Sequence, residues 1–277
     1  MVIIAPSEQT ATPRWSNWLE PDPRRWIVAL RASQTRLHTL VEPLTPAALR
    51  ARSYATEWAV AQVLSHIGSQ AEIFQLFLDA ALAGKQPPGR DAFPPIWDAW
   101  NSRDPERQAR DCLATNDVLI TRLENLPDET LAVAIELFGM DLVIADLARL
   151  RLSEHAVHSW DIAVSFDPTA QIAPDAVALL VDTLTPLVAR AGKPQGQSFN
   201  LHIHSTDPDD DFVLAVGESV ELRSFDGTES TDGTLDLPAE ALLRLVYGRL
   251  DSDHTPTLGL SARDVTLDDL RAIFPGF

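Results

Sequence analysis

Residues 57–82 read E-W-A-V-A-Q-V-L-S-H-I-G-S-Q-A-E-I-F-Q-L-F-L-D-A-A-L. Val60, Val63, Leu64, Ile67, Ala71, Phe74, Leu78 and Leu82 recur in it at steps of three and four, so a helix would align them in one stripe that has to be buried. Thr56 is placed as its N-cap and Gly84 as its stop. Three more segments share the period. Arg24–Val41 carries Trp26, Ile27, Leu30, Leu37, Leu40 and Val41; 103–126 carries Cys112, Leu113, Val118, Leu119 and Leu123; 139–164 carries Leu142, Val143, Ala145, Leu147, Leu150, Val157 and Ile162. The Gly- and Pro-rich stretch 84–95 reads as a loop. Four long amphipathic segments predict an antiparallel four-helix bundle, a fold that builds sites from inward-facing side chains.

Past Asp167-Pro168 the pattern changes. A helix over 174–191 stops at Gly192, and alternating runs follow at 199–204, 212–216 and 219–225, the last two joined through Gly217-Glu218, a hairpin signal. Helices over 238–250 and 267–274 complete an α+β module. The expected organisation is a bundle over 1–168 and an α+β domain over 169–277.

The chain's 277 residues carry a formal net charge of −18. A phosphate backbone needs a basic face, so nucleic acid is not an expected partner, and neither is an anionic membrane. Cys112 is the only cysteine, so neither a disulfide framework nor a thiolate-rich zinc site can form within the chain, which fits a reducing cytoplasm. The opening M-V-I-I-A-P-S-E-Q-T lacks a basic n-region and is not read as a signal peptide, and no apolar run reaches the ~20 residues of a membrane span. Lys85 and Lys193 are the only lysines, an arginine bias that suits a GC-rich source.

The segment R-L-S-E-H-A-V-H-S-W-D, residues 151–161, concentrates the ionisable groups. On a helix Glu154 and His158 stand one turn apart, about 5–6 Å at Cβ. Arg151 and Asp161 share their face, whereas His155 points about 100° away from Glu154. Taken alone, the Glu-x-x-x-His spacing equally describes a hydrogen-bonded surface pair. His66, at the edge of the buried stripe, alone equally describes a satisfied core histidine. If the bundle sets these two helices side by side, His66, Glu154 and His158 supply two nitrogens and an oxygen with an open fourth position. Asp161 then either fixes the tautomer of one of the histidines or sits on the surface as a simple helix carboxylate. His202 and His204 share a strand face and read as exposed residues. Trp58 and Trp160 are expected to pack beneath the ligand segments, Trp15, Trp18 and Trp26 to anchor the N-terminus, and Phe93, Trp97 and Trp100 to line a substrate pocket. Cys112 reads as core.

W-A-V-A-Q-V-L-S-H (58–66), E-H-A-V-H-S-W-D (154–161) and L-L-R-L-V-Y-G-R (242–249) together resemble the mycothiol-dependent maleylpyruvate isomerase family, within the DinB/YfiT-like superfamily. The resemblance implies a DinB-like four-helix bundle followed by an SCP-like α+β domain. It implies a divalent metal, usually Zn2+, on His66, Glu154 and His158, with mycothiol as the thiol cosubstrate. It also implies that Arg249 contacts a substrate carboxylate; a plain helix-terminal arginine is the competing reading. The expected activity is addition of the thiol to a small-molecule electrophile, giving cis-trans isomerisation if the thiol leaves again and S-transfer if it stays. A zinc hydrolase using water, and a metal-binding stress or regulatory protein without turnover, remain open alternatives. An actinobacterial source follows from the use of mycothiol.

Overall fold

The structure, a computed structural model, describes residues 22–55, 57–137 and 139–276. Thr56, Trp15 and Trp18 lie outside the described residues. The chain forms two compact units that meet in sequence between Ala170 and Gln171.

The N-terminal unit contains α1 (Arg24–Val41), α2 (Pro46–Leu49), α3 (Val60–Leu82), α4 (Phe93–Asn101), α5 (Pro105–Glu124), α6 (Asp128–Leu131), a hairpin of β1 (Ala134–Leu137) and β2 (Met140–Val143), and α7 (Ile144–Ala163). Helix α1 has the expected bounds and buries Trp26, Ile27, Leu30, Leu37 and Val41. Helix α3 starts at Val60, three residues later than expected. Ala59 forms an isolated antiparallel bridge with Arg52, and its amide donates to Gln62 Oε1 at 2.8 Å, so the backbone stays extended up to that point. The 84–95 loop is shorter than expected, because Pro94 and Pro95 fall in the first turn of α4, where a missing N–H has no helical partner to lose. The helix expected from 139 begins at Ile144. Gly139, at φ +82°, turns the chain between the hairpin strands, and Asp146 caps α7 by accepting from the Val143 amide at 3.0 Å. Four-residue strands with three apolar residues each, AIEL and MDLV, are easily absorbed into a helical period.

The four long helices pack as a ring, α1 against α5 and α7, and α3 against α5 and α7. The fully antiparallel arrangement expected is corrected by side-chain pairs. Arg151 bonds both the Ile67 carbonyl and Asn116 Oδ1, and Asp79 pairs with Arg122. Moving from 67 to 79 on α3 therefore accompanies moving from 116 to 122 on α5, and these neighbours run parallel. Between them the segment 83–104, with α4 inside it, is long enough to return along the bundle. Helices α3 and α7 are antiparallel: His66 faces His158, while Gln70 reaches Arg151. Gly68 lets α4 approach α3, since a Cβ there would lie 2.3 Å from the Trp100 ring, whose Nε1 donates to Glu72 at 2.7 Å.

The C-terminal unit contains α8 (Pro174–Leu180), α9 (Leu184–Ala191), β3 (Phe199–Thr206), β4 (Asp210–Val216), β5 (Val220–Ser224), β6 (Gly233–Pro238), α10 (Ala239–Val246), β7 (Gly259–Ala262) and α11 (Leu267–Ile273). The single helix expected over 174–191 is broken at 181–183, four residues before Pro186, which has no N–H to donate back. The strands form one sheet ordered β5-β4-β3-β6-β7, with only the β3–β6 pair parallel. Strands β6 and β7 were not anticipated. Along β3 Phe199, Leu201, Ile203 and Ser205 are buried and the alternate residues face outward. Helix α10 ends at Val246 because Gly248 takes φ +71° in contact with the Gly276 backbone. A buried Glu240–Arg244 pair at 2.8 Å holds the unit's start, as Glu240 also accepts from the Ile172 amide at 3.1 Å.

Candidate metal centre

The i, i+4 spacing on α7 and the stripe-edge position on α3 bring His66, Glu154 and His158 together, with one ligand atom from each lying within 4.8 Å of the others. His66 Nε2 is 3.3 Å and His158 Nε2 3.6 Å from Glu154 Oε2. The imidazole centroids are 4.7 Å apart and nearly perpendicular, at 75°. The side chains retain 14 %, 25 % and 5 % exposure for His66, Glu154 and His158 respectively, so the cluster is recessed but reachable.

Two of the three, His158 and Glu154, are held from behind. His158 Nδ1 pairs with Asp161 Oδ2 at 2.8 Å, and Asp161 is fully buried. If that nitrogen carries the proton, Nε2 is left with its lone pair facing Glu154 and His66. Glu154 Oε2 also accepts from Gln70 Nε2 at 2.7 Å. Gln70 Oε1 in turn accepts from Arg151 at 2.7 Å. The fully buried Arg151 guanidinium also donates to the Ile67 carbonyl at 2.9 Å and to Asn116 Oδ1 at 2.8 Å. Trp58 leans over the cluster, its ring 5.1 Å from that of His66 and 6.3 Å from that of His158.

The electrostatics follow from burial and pairing. Burial pushes His66 down to about 4, against the opposing pull of Glu154. Burial also opposes protonation of His158, but its bonds to Asp161 and Glu154 outweigh that and raise its pKa. Burial would raise the Glu154 carboxyl, yet the two histidines hold it well below the usual carboxylate range.

The donor set fits a divalent cation. A tetrahedral ion with bonds of about 2.0–2.1 Å sets its donors about 3.3–3.4 Å apart. The two Glu154–histidine separations, 3.3 and 3.6 Å, are already near that spacing. Two imidazole nitrogens and one carboxylate oxygen are donors of the kinds zinc takes, and three protein donors leave a position for a fourth.

Other singled-out residues go elsewhere. His155 is buried on the α1 side, 2.9 Å from Ser33 Oγ and 3.0 Å from Gln34 Oε1. Cys112 is buried beside Asn116 and burial pushes its thiol up to about 12, so it is no nucleophile. Trp160 donates to the Ala170 carbonyl at 2.9 Å and packs on Tyr54. Trp100 is core, and Phe93 with Phe77 borders a separate cavity of about 260 Å³. Phe77 lies eleven residues along α3 from His66, roughly 16 Å away at the helical rise. In the C-terminal unit, Arg249 donates to the Tyr247 carbonyl at 2.6 Å. His202 and His204 both bond to Asp211 on β4, at 2.7 and 3.3 Å. Gln70 and Asn116 were missed by the sequence reading. Gln70 stands one turn from His66 on the same helix, the one available sign of its place.

The profile of the mycothiol maleylpyruvate isomerase N-terminal domain family matches residues 30–163. No curated protein matches the chain by sequence. Among solved structures the chain is similar to a mycothiol-dependent maleylpyruvate isomerase, with a TM-score of 0.64 at 11 % identity over 86 % of this chain and 92 % of that one. A histidine-to-alanine mutant of a mycothiol-dependent maleylpyruvate isomerase gives a TM-score of 0.63 at 11 % identity over 87 % and 92 %. At that identity the likeness speaks for the fold.

Proposed function

Since the chain belongs, through residues 30–163, to the mycothiol maleylpyruvate isomerase N-terminal domain family, we propose that it is a metal-dependent enzyme that adds the thiol of mycothiol to a small electrophilic molecule. The observation that carries this is the convergence of His66, Glu154 and His158 at donor spacing on a recessed, reachable face of the bundle. A divalent cation, Zn2+ in the first instance, would stabilise a thiol at its open position as the thiolate. His66 and His158 would hold that cation through Nε2 and Glu154 through Oε2. Asp161 keeps the His158 ring oriented, and Trp58 offers an apolar wall that excludes water from one side of the cluster.

With the only cysteine buried and protonated, the nucleophilic sulfur comes from the cosubstrate. Addition to an activated carbon–carbon double bond converts it to a single bond that can rotate. Expulsion of the thiol then completes a cis-trans isomerisation, and retention completes an S-transfer. Arg249 is proposed, from the family resemblance, as the contact to a substrate carboxylate; its anchoring to the Tyr247 carbonyl restricts the guanidinium in its own unit. A cytoplasmic location follows from the thiol, and among the described residues no helix is long and apolar enough to cross a membrane.

The test is incubation of the zinc-loaded protein with mycothiol and a panel of unsaturated carboxylic acids, read by mass spectrometry and chromatography for conjugates or isomers. The proposal predicts product with wild type and at least a 100-fold lower rate with His66→Ala. Arg249→Ala is expected to raise KM for carboxylate-bearing substrates. Product formation without mycothiol would replace the thiol by water, and absence of any product would remove the enzyme reading.

A further inference from the structure

The centre contains a polar chain that none of its direct donors requires. Arginine has no acceptor and five donors, so each group it meets must present an oxygen to it. The Gln70 carboxamide therefore turns its Oε1 to Arg151, at 2.7 Å, and is left with only its N–H groups for Glu154 Oε2, also at 2.7 Å. Asn116 is fixed by the same rule, accepting from Arg151 at 2.8 Å and donating to the Cys112 carbonyl at 2.8 Å. Arg151 cannot swing away, because it is also tied to the Ile67 carbonyl at 2.9 Å and has no exposed surface. Three helices, α3, α5 and α7, thus lock one amide in one orientation.

We propose that Gln70, locked by Arg151, is a positioning residue that fixes the rotation of the Glu154 carboxylate, so that it presents a single oxygen to the ion between His66 and His158. Without the amide, Glu154 is free to turn about its terminal torsion, which is broad and roughly two-fold. It would then offer both oxygens to the ion and close the fourth position that a thiol needs. By donating to the ligating oxygen, Gln70 also draws charge from it and leaves the ion the stronger Lewis acid. The inference rests on the metal reading of the cluster.

The test uses the full chain loaded with Co2+, whose absorption reports coordination number and whose affinity is measured by competition with a chromophoric chelator. Gln70→Met keeps the volume and removes the amide. It is expected to weaken Co2+ binding by about 10–100-fold, the usual effect of losing a partner behind a ligand, and to lower visible absorption intensity as the site passes from four- to five-coordinate. Arg151→Lys is the second variant: it keeps the charge, cannot hold Gln70, Ile67 and Asn116 together, and is expected to shift both readouts in the same direction by less. Wild-type affinity and an unchanged spectrum in folded Gln70→Met would overturn the positioning role. Failure of wild type to bind Co2+ any better than His66→Ala would instead overturn the metal reading beneath it, and the inference with it.

Discussion

At the scale of single residues, the centre is a set of buried polar groups whose cost is met by mutual pairing. Asp161 has no exposure and contacts His158 Nδ1 at 2.8 Å. Asp161→Asn keeps the shape and removes the charge that favours a protonated Nδ1. Metal affinity is expected to fall about 10-fold or more, measured by chelator competition, with little change in helix content. An unchanged affinity would reduce Asp161 to a packing role. His155 makes a different prediction. Burial holds its pKa well below 6.5, so the folded state keeps it neutral while the unfolded state takes up a proton below about pH 6.5. The unfolded chain then binds the extra proton, and stability present above that pH is lost as pH falls. Urea unfolding of the metal-free protein between pH 8 and 5 should show a steeper loss for wild type than for His155→Gln; equal slopes would refute the assignment. His66, Glu154 and His158 were legible as a group in the sequence because helical spacing and the stripe edge each constrain where a side chain points. Gln70 and Asn116 were not, since an amide carries neither charge nor a ligand signature, and its role depends on which neighbour fixes its flip.

At the scale of elements, the four long helices were legible because each repeats its apolar positions over several turns, whereas β1, β2, β6 and β7 were not. Strands of four to six residues offer too few alternations to compete with an overlapping helical pattern, and the pairing of β6 between β3 and β7 is a non-local event. Helix α4 was hidden by Pro94-Pro95, which read as a loop until its place in a first turn is known. This helix depends on one glycine. Gly68→Ala would set a methyl 2.3 Å from the Trp100 ring carbons, forcing α4 outward or Trp100 off its bond to Glu72. Destabilisation of roughly 1–3 kcal/mol is expected from overpacking of this kind, read by chemical denaturation. A variant as stable as wild type would mean that α4 shifts without resistance.

At the scale of the whole molecule, the charge of −18 and the recessed cluster argue for a small ligand rather than a polyanion. The parallel run of α3 beside α5 was not legible from helix count alone, because direction is set by the length of the connection between them. Yet the chemistry depends on α3 meeting α7, and that contact is present. The central claim is that His66, Glu154 and His158 hold a cation whose free position takes an external thiol. The most direct measurement is the absorption spectrum of the Co2+-loaded protein during titration with mycothiol, in wild type and in His66→Ala. The account predicts a thiolate-to-cobalt charge-transfer band that grows and saturates in wild type and is absent in the variant. A wild-type spectrum that does not respond to mycothiol, or the same response in both proteins, would contradict it.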